Sequence, residues 1–237
     1  MEKKPAKCER IVLVVIPLLL LVGATLFFRW TDWDVRISSW FYHPVKGWFW
    51  EKALMVQLCY KYGPWPGNLL GIGGFLAGVL SFFIKRLRPY RKIGFFLALY
   101  AALVPGVLIN FVFKDHYNRT RPKDTIVFGG EKPFVPVLSL SDQPKDRSFP
   151  SGHAGISFFL MAPFFFLRHR RSWLARGFMA AGLIWGAVIG VSRMAEGDHF
   201  ASDIFWALAF VYFGGLVLAQ FFNFSRFDKY NVDIESN

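Results

Sequence analysis

His199 and Asp203 stand four residues apart in an S-R-x5-H-x3-D run that opens with Ser192 and Arg193. On a helix that spacing places both side chains on one face, one turn apart, so Asp203 is expected to reach the imidazole. A carboxylate that accepts from one ring nitrogen fixes the tautomer and leaves the other nitrogen unprotonated, the form of a nucleophile. A second polar island, P-S-G-H at Pro150 to His153, supplies a capping serine and a glycine that lets a ligand approach the backbone. It sets His153 in a helical first turn, where free N–H groups and the helix dipole attract an anion. A third, KDHYNRTRP at 114 to 122, carries Lys114 and Arg121, with Pro122 stiffening the turn. Lys114, Arg121 and Arg193 form a set of cations of the kind that binds phosphate oxygens, through forked guanidinium pairs and an ammonium point charge. Each feature alone has a plain structural meaning: a polar pair at a helix end, a helix start, cations snorkelling to an interface. Together they supply a nucleophile and a phosphate cradle.

The elements that must hold these islands are hydrophobic. The chain has 237 residues, 54% hydrophobic, with 28 Phe, 9 Trp and a mean hydropathy of +0.34, more apolar surface than a soluble domain can hide in one core. Hydropathy predicts an all-α membrane protein, a six-helix transmembrane bundle with spans near 11–28, 68–84, 94–113, 152–167, 173–191 and 200–222. The whole of 1–237 reads as one membrane-embedded domain. The first apolar run follows Lys3, Lys4, Lys7 and Arg10 and continues to Phe28, longer than the core of a secretory signal, so an uncleaved span is expected.

Basic residues set the orientation. KRLRPYRK at 85 to 92, the cluster Arg168, Arg170, Arg171 and Arg176, and the N-terminal basic residues mark the cytoplasmic side, which puts both termini inside. All three islands then fall on the opposite, outer side. Topology also accounts for much of the net charge of +12, and no recognition-helix or aromatic-interleaved basic pattern accompanies it, which excludes a nucleic-acid partner. Cys8 and Cys59 fall on opposite sides of the membrane and cannot pair. Asn118-Arg119-Thr120 fits a glycosylation sequon but lies inside the proposed site, so it reads as a chance match.

Other features are architectural. Trp30, Trp33, Trp40, Trp48, Trp50 and Trp65 crowd the first outer connection, where interfacial aromatics belong, and a short interfacial helix is predicted over about Phe49 to Tyr62, ended by Gly63-Pro64. Gly74 and Gly78, and Gly182, Gly186 and Gly190, recur every four residues as close-packing positions.

With its K-x6-R-P, P-S-G-H and S-R-x5-H-x3-D motifs, the chain resembles the type 2 phosphatidic acid phosphatase superfamily, the integral-membrane lipid phosphate phosphatases related to bacterial acid phosphatases and vanadium haloperoxidases. The resemblance runs from the third span to the sixth. It implies a metal-independent, cofactor-free phosphatase with His199 as nucleophile, Asp203 as its partner and His153 as acid and base. Lys114, Arg121, Ser151, Gly152 and Arg193 would be its phosphate ligands. It further implies a phosphorylated membrane lipid as substrate and the bilayer as surroundings, with no obligatory protein partner evident. The chain is most similar to the bacterial lipid A phosphatase branch, in which the 1-phosphate is removed at the periplasmic face of the inner membrane. Arg119, Lys123, Lys132, Lys145 and Arg147 in the third outer connection favour a polyanionic headgroup. Undecaprenyl pyrophosphate and phosphatidylglycerol phosphate are rival substrates. A membrane protein that binds anionic lipid without turnover and a vanadate-dependent oxidase are readings of other classes.

Overall fold

The computed structural model describes residues 9, 11–139 and 146–224, except for the side chain of Asp115. The N-terminal basic residues, Cys8 and Lys145 lie outside the described residues.

Among the described residues, one small hairpin, several tight turns and a long connection that holds only the 3-10 turns Pro122–Asp124 and Ile126–Phe128 link a set of helices. Four of them are long and apolar enough to cross a membrane: α1 (Ile11–Trp30), α5 (Lys85–Phe113), α7 (Ser172–Ala195) and α8 (Ala201–Phe221). Between α1 and α5 lie α2 (Trp33–Ser39), the antiparallel pair β1 (Tyr42–His43) and β2 (Gly47–Trp48), α3 (Leu54–Tyr62) and α4 (Trp65–Leu80). α6 (Gly152–Leu167) precedes α7 and tightens to a 3-10 turn at Phe159–Met161. The second and fourth expected spans therefore form as helices, α4 and α6, but both are shorter than the other four. At about 1.5 Å per residue a 16-residue helix such as α4 extends about 24 Å, less than a hydrocarbon core of about 30 Å.

The helix predicted from Phe49 begins instead at Leu54. Gly47 takes a left-handed φ of 67° and turns the chain into the hairpin, and turns after Trp48 consume the residues up to Ala53. α5 opens as a 3-10 turn and from Ala102 its helix widens to i→i+5 bonds, starting near Pro105, whose missing N–H cannot serve an α-helical ladder. That register persists to the end of the helix, where the Lys114 N–H donates to the Ile109 carbonyl.

The core lies where α5, α6 and α8 meet, around Phe96, Tyr100, Phe159, Phe165 and Val211. The Tyr100 hydroxyl donates to the Val211 carbonyl across it. The glycine periodicity marks real backbone approach: a Cβ on Gly186 would lie 2.0 Å from the Phe158 ring, and one on Gly182 2.5 Å from the Met161 nitrogen. The bundle has two distinct ends. Glu9 lies 3.9 Å from both Arg168 and His169, and Lys92 Nζ sits over the Phe224 ring, so the start of α1, the α6–α7 turn, the start of α5 and the end of α8 share one end. The three polar islands share the other.

Candidate active site

Ser151 caps α6 as its type predicts: its Oγ accepts from the Ala154 N–H, while its own N–H donates to the Asp203 carbonyl at 3.4 Å, tying the start of α6 to the first turn of α8. Gly152 follows against the end of α5. A Cβ there would stand 2.5 Å from Asn110 Oδ1 and 3.1 Å from Lys114 Nζ, so only glycine admits the lysine to this position. Lys114, one residue beyond the span, is held by burial, and then by Arg121, Arg147 and Arg193, at a pKa lowered to about 8.

His199 is buried, and its Nδ1 lies 2.6 Å from the Ser148 carbonyl oxygen. A carbonyl only accepts, so Nδ1 carries the proton and Nε2 is left with its lone pair. Burial lowers the His199 pKa and keeps the ring neutral, against Asp203, which favours the charged form. Asp203 does not make the bond expected from the spacing. Its Oδ2 stands 3.8 Å from Nδ1, beyond hydrogen-bond range. Instead Oδ2 accepts from Ser148 Oγ at 2.7 Å and from the Phe200 N–H at 2.8 Å, turning back on the start of its own helix. The tautomer is thus set by a backbone carbonyl, and Asp203 orders the peptide that provides it.

Asp203 is also one arm of a buried network that sequence reasoning missed. Arg119, fully buried, donates to Asp203 Oδ1 at 2.5 Å, to Asp34 Oδ2 at 2.8 Å, to Ser202 Oγ at 2.7 Å and to the Val135 carbonyl at 2.9 Å. Asp34, on α2, accepts further from the N–H and Oγ of Ser202. Arg119 therefore cannot face a lipid headgroup: a buried guanidinium needs paired carboxylates, and it has two. Nor can the sequon carry a glycan, since Arg119 and Thr120 are both fully buried.

The cations Arg121, Lys123 and Arg193 converge around Asp198, the residue before His199. Its carboxylate meets Arg121 Nη1 at 3.1 Å, Lys123 Nζ at 2.6 Å and the Arg193 guanidinium, which also holds Glu196. Burial opposes charge on Asp198, but Arg193, then Lys123 and Arg121, hold its carboxyl below the ordinary value. The Nε–H of Arg193 is buried with no partner among the described residues, a donor left for a ligand. Lys132 pairs with Asp146 at 3.0 Å. Of the loop cations read as headgroup ligands, Arg119, Lys123 and Lys132 are thus each bound to an internal carboxylate.

His153 lies beside this cluster. Its ring stacks on Tyr60 of α3, with centroids 5.0 Å apart and planes 21° from parallel. Gly197 folds the chain back into the site: its φ is 70°, and a Cβ would stand 2.4 Å from the Trp48 ring, so glycine is required on both counts. All eight residues singled out in the sequence therefore meet at one end of the bundle. Among the described residues no group of three or more His, Cys, Asp or Glu could hold a metal ion.

The sequence profile of the PAP2 superfamily matches residues 94–227, more than half of the chain. A lipid A 4'-phosphatase of Francisella tularensis subsp. novicida (strain U112) is 40% identical over 140 residues, 58% of this chain and 61% of that protein. A lipid A 4'-phosphatase of Rhizobium leguminosarum is 31% identical over 117 residues, 48% of each chain. The chain thus spans about half to three fifths of the length of these relatives. No solved structure matches it.

Proposed function

Because this chain belongs to the PAP2 superfamily, we propose that it is a multi-pass membrane hydrolase that removes a phosphomonoester from a lipid headgroup. The observation that carries the reading is the His199 ring, buried, with Nδ1 donating to the Ser148 carbonyl and Nε2 therefore free. A protein that only binds anionic lipid needs cations but has no use for an oriented, unprotonated imidazole.

Two in-line steps follow. His199 Nε2 attacks phosphorus, the bond from phosphorus to the lipid oxygen breaks, and His153 gives that oxygen its proton; the product alcohol leaves and a phosphohistidine remains. His153, now neutral, takes a proton from water as the water oxygen attacks phosphorus. The N–P bond breaks, inorganic phosphate departs, and both imidazoles return to their starting forms. Lys114, Arg121 and Arg193, with the first-turn N–H groups of α6 that Ser151 leaves uncapped and the open backbone at Gly152, stabilise the equatorial oxygens. Phosphorylation makes the His199 ring cationic while Nδ1 keeps its proton. The buried Asp34, Arg119 and Asp203 carry one negative charge in surplus, and that charge stabilises the cation.

For the substrate we propose lipid A, and for the position its 4'-phosphate. The curated relatives carry that name, which moves the reading from the 1-phosphate expected from the sequence. The proposal further places the protein in the bacterial inner membrane with six spans, both termini cytoplasmic and the site at the periplasmic face. Its support is the separation of the bundle's two ends, with the polar islands at one and Arg168, His169 and Lys92 at the other. The test is phosphate release by the purified full chain. It is presented with lipid A phosphorylated at both positions, at position 1 alone or at position 4' alone, with undecaprenyl pyrophosphate and with phosphatidylglycerol phosphate. His199→Ala serves as control. Release from the 4'-monophosphate but not from the 1-monophosphate is expected; equal rates in wild type and His199→Ala would falsify the mechanism.

A further inference from the structure

The segment matched by the family profile begins at residue 94, yet an aromatic ring from well before it touches two members of the site. Tyr60, on α3, stacks against the His153 imidazole at 5.0 Å, and the same ring lies 4.6 Å from the Arg193 guanidinium carbon. Its helix is held in place three residues further on. The Gly63 carbonyl accepts from Trp185 Nε1 at 2.9 Å and from Ser157 Oγ at 3.2 Å, and a Cβ on Gly63 would stand 2.3 Å from the Ile189 side chain. These contacts share helix faces with the chemistry: Ser157 is four residues after His153 on α6, and Ile189 four before Arg193 on α7. The end of α3 is therefore docked on the two helix faces that present the proton donor and the phosphate ligand, and Tyr60 extends that dock into the site.

An interfacial tyrosine with no such role would turn its ring to lipid. Here the ring's flat face is engaged. Stacking fixes the tilt of an imidazole that must hand its proton to a leaving oxygen, and an aromatic face attracts a guanidinium.

Resting on the phosphatase reading, we propose that Tyr60 is a positioning residue of the reaction: its ring, not its hydroxyl, holds His153 and Arg193 in register for proton transfer and phosphate capture. Three variants of the full chain test this, with lipid A and p-nitrophenyl phosphate as substrates. Tyr60→Phe, which keeps the ring, stays within about twofold of wild type on both. Tyr60→Leu lowers kcat on lipid A by about 10- to 100-fold, the scale of a misplaced catalytic group. p-Nitrophenolate departs without a proton, so with p-nitrophenyl phosphate the first step is spared and the second, in which His153 must deprotonate water, becomes slow. The reaction then shows a burst of p-nitrophenol equal to the enzyme concentration, followed by a slow steady rate. Tyr62→Leu, on the same helix but with its ring tilted against Trp65 and away from His153, runs at the wild-type rate.

Several outcomes overturn the proposal while leaving the phosphatase intact: Tyr60→Leu at the wild-type rate, Tyr60→Phe as slow as Tyr60→Leu, or Tyr62→Leu equally slow, which would report damage to α3. Loss of rate in Tyr60→Leu without a burst removes the assignment to His153. Absence of phosphate release from both substrates by the wild type instead sinks the phosphatase reading, and this proposal with it.

Discussion

Nδ1 of His199 faces the carbonyl oxygen of Ser148 at 2.6 Å, an acceptor that no substitution of the Ser148 side chain removes. In hydrolases whose histidine tautomer depends on a carboxylate, the Asp→Asn change reverses the tautomer and activity falls by about 10⁴. Here the carbonyl keeps the proton on Nδ1 whichever residue stands at 203. Asp203→Asn is therefore expected to retain far more, a loss of about 10- to 100-fold in kcat, while His199→Ala has no turnover. Single-turnover phosphate release on both variants checks this. A loss in Asp203→Asn as complete as in His199→Ala would show that Asp203 contacts the ring directly during the reaction.

Arg119 bridges two fully buried carboxylates. Arg119→Met leaves Asp34 and Asp203 facing each other without a cation and is expected to destabilise the fold by about 3–5 kcal/mol. Thermal unfolding in detergent measures it. An unchanged unfolding midpoint with weakened lipid affinity would return Arg119 to the headgroup role its loop position suggests.

In the proposed mechanism Lys114 holds phosphate only when protonated, and its pKa in the free protein is lowered to about 8 by burial and by neighbouring Arg residues. The charged fraction is full below that value and is lost as pH rises through it, so kcat/KM should fall on a basic limb near 8. Bound phosphate favours the proton, so the limb in kcat lies higher. For stability the sign is opposite: a lysine whose folded pKa is below the unfolded one favours the native state more as pH rises above the folded value. Lys114→Arg keeps its charge throughout the range and should move the limb upward; a pH profile of this variant that overlays the wild type assigns the limb to another group.

Gly152→Ala places a methyl where Asn110 Oδ1 and Lys114 Nζ now stand. The lysine must then retreat from the position where the proposed mechanism puts the phosphate, so KM should rise by about tenfold or more with a smaller change in kcat. Steady-state kinetics on p-nitrophenyl phosphate separates the two constants, and a KM equal to wild type would mean the cradle accommodates the methyl.

The sequence carried the site in a particular way. Lys114, Arg121, Ser151, Gly152, His153, Arg193, His199 and Asp203 were legible because each lies in a short motif at the end of an apolar run, and helix ends at one face of a bundle must come together. The capping by Ser151 and the close approach of Gly182 and Gly186 followed from residue type and period alone. Asp34, Arg119, Ser148 and Tyr60 were not legible. Their partners are distant in sequence, as with Arg119 and Asp34, 85 residues apart, and a lone Asp or Tyr in an aromatic-rich connection gives no local sign of its contact. The one indication was chemical: Arg119 sits two residues before the motif arginine, where a second guanidinium without a carboxylate nearby in sequence demands one from elsewhere. The second expected span ran on to 84, past the end of α4 at Leu80, because apolar turn residues such as Phe82 and Phe83 read as helix in a hydropathy window, whereas the fourth, 152–167, forms as α6 within the same bounds.

The widened turns that close α5 give this chain a constraint written in residue number. Each residue of an ordinary helix advances the azimuth by about 100°, so removing a single residue between Ala102 and Phe113 would swing Lys114 off the Gly152 side and toward lipid, with every side chain of the motif still present. The aim of the phosphate cation is thereby encoded in a count, and an insertion or deletion in this stretch should silence the protein as surely as losing the lysine itself.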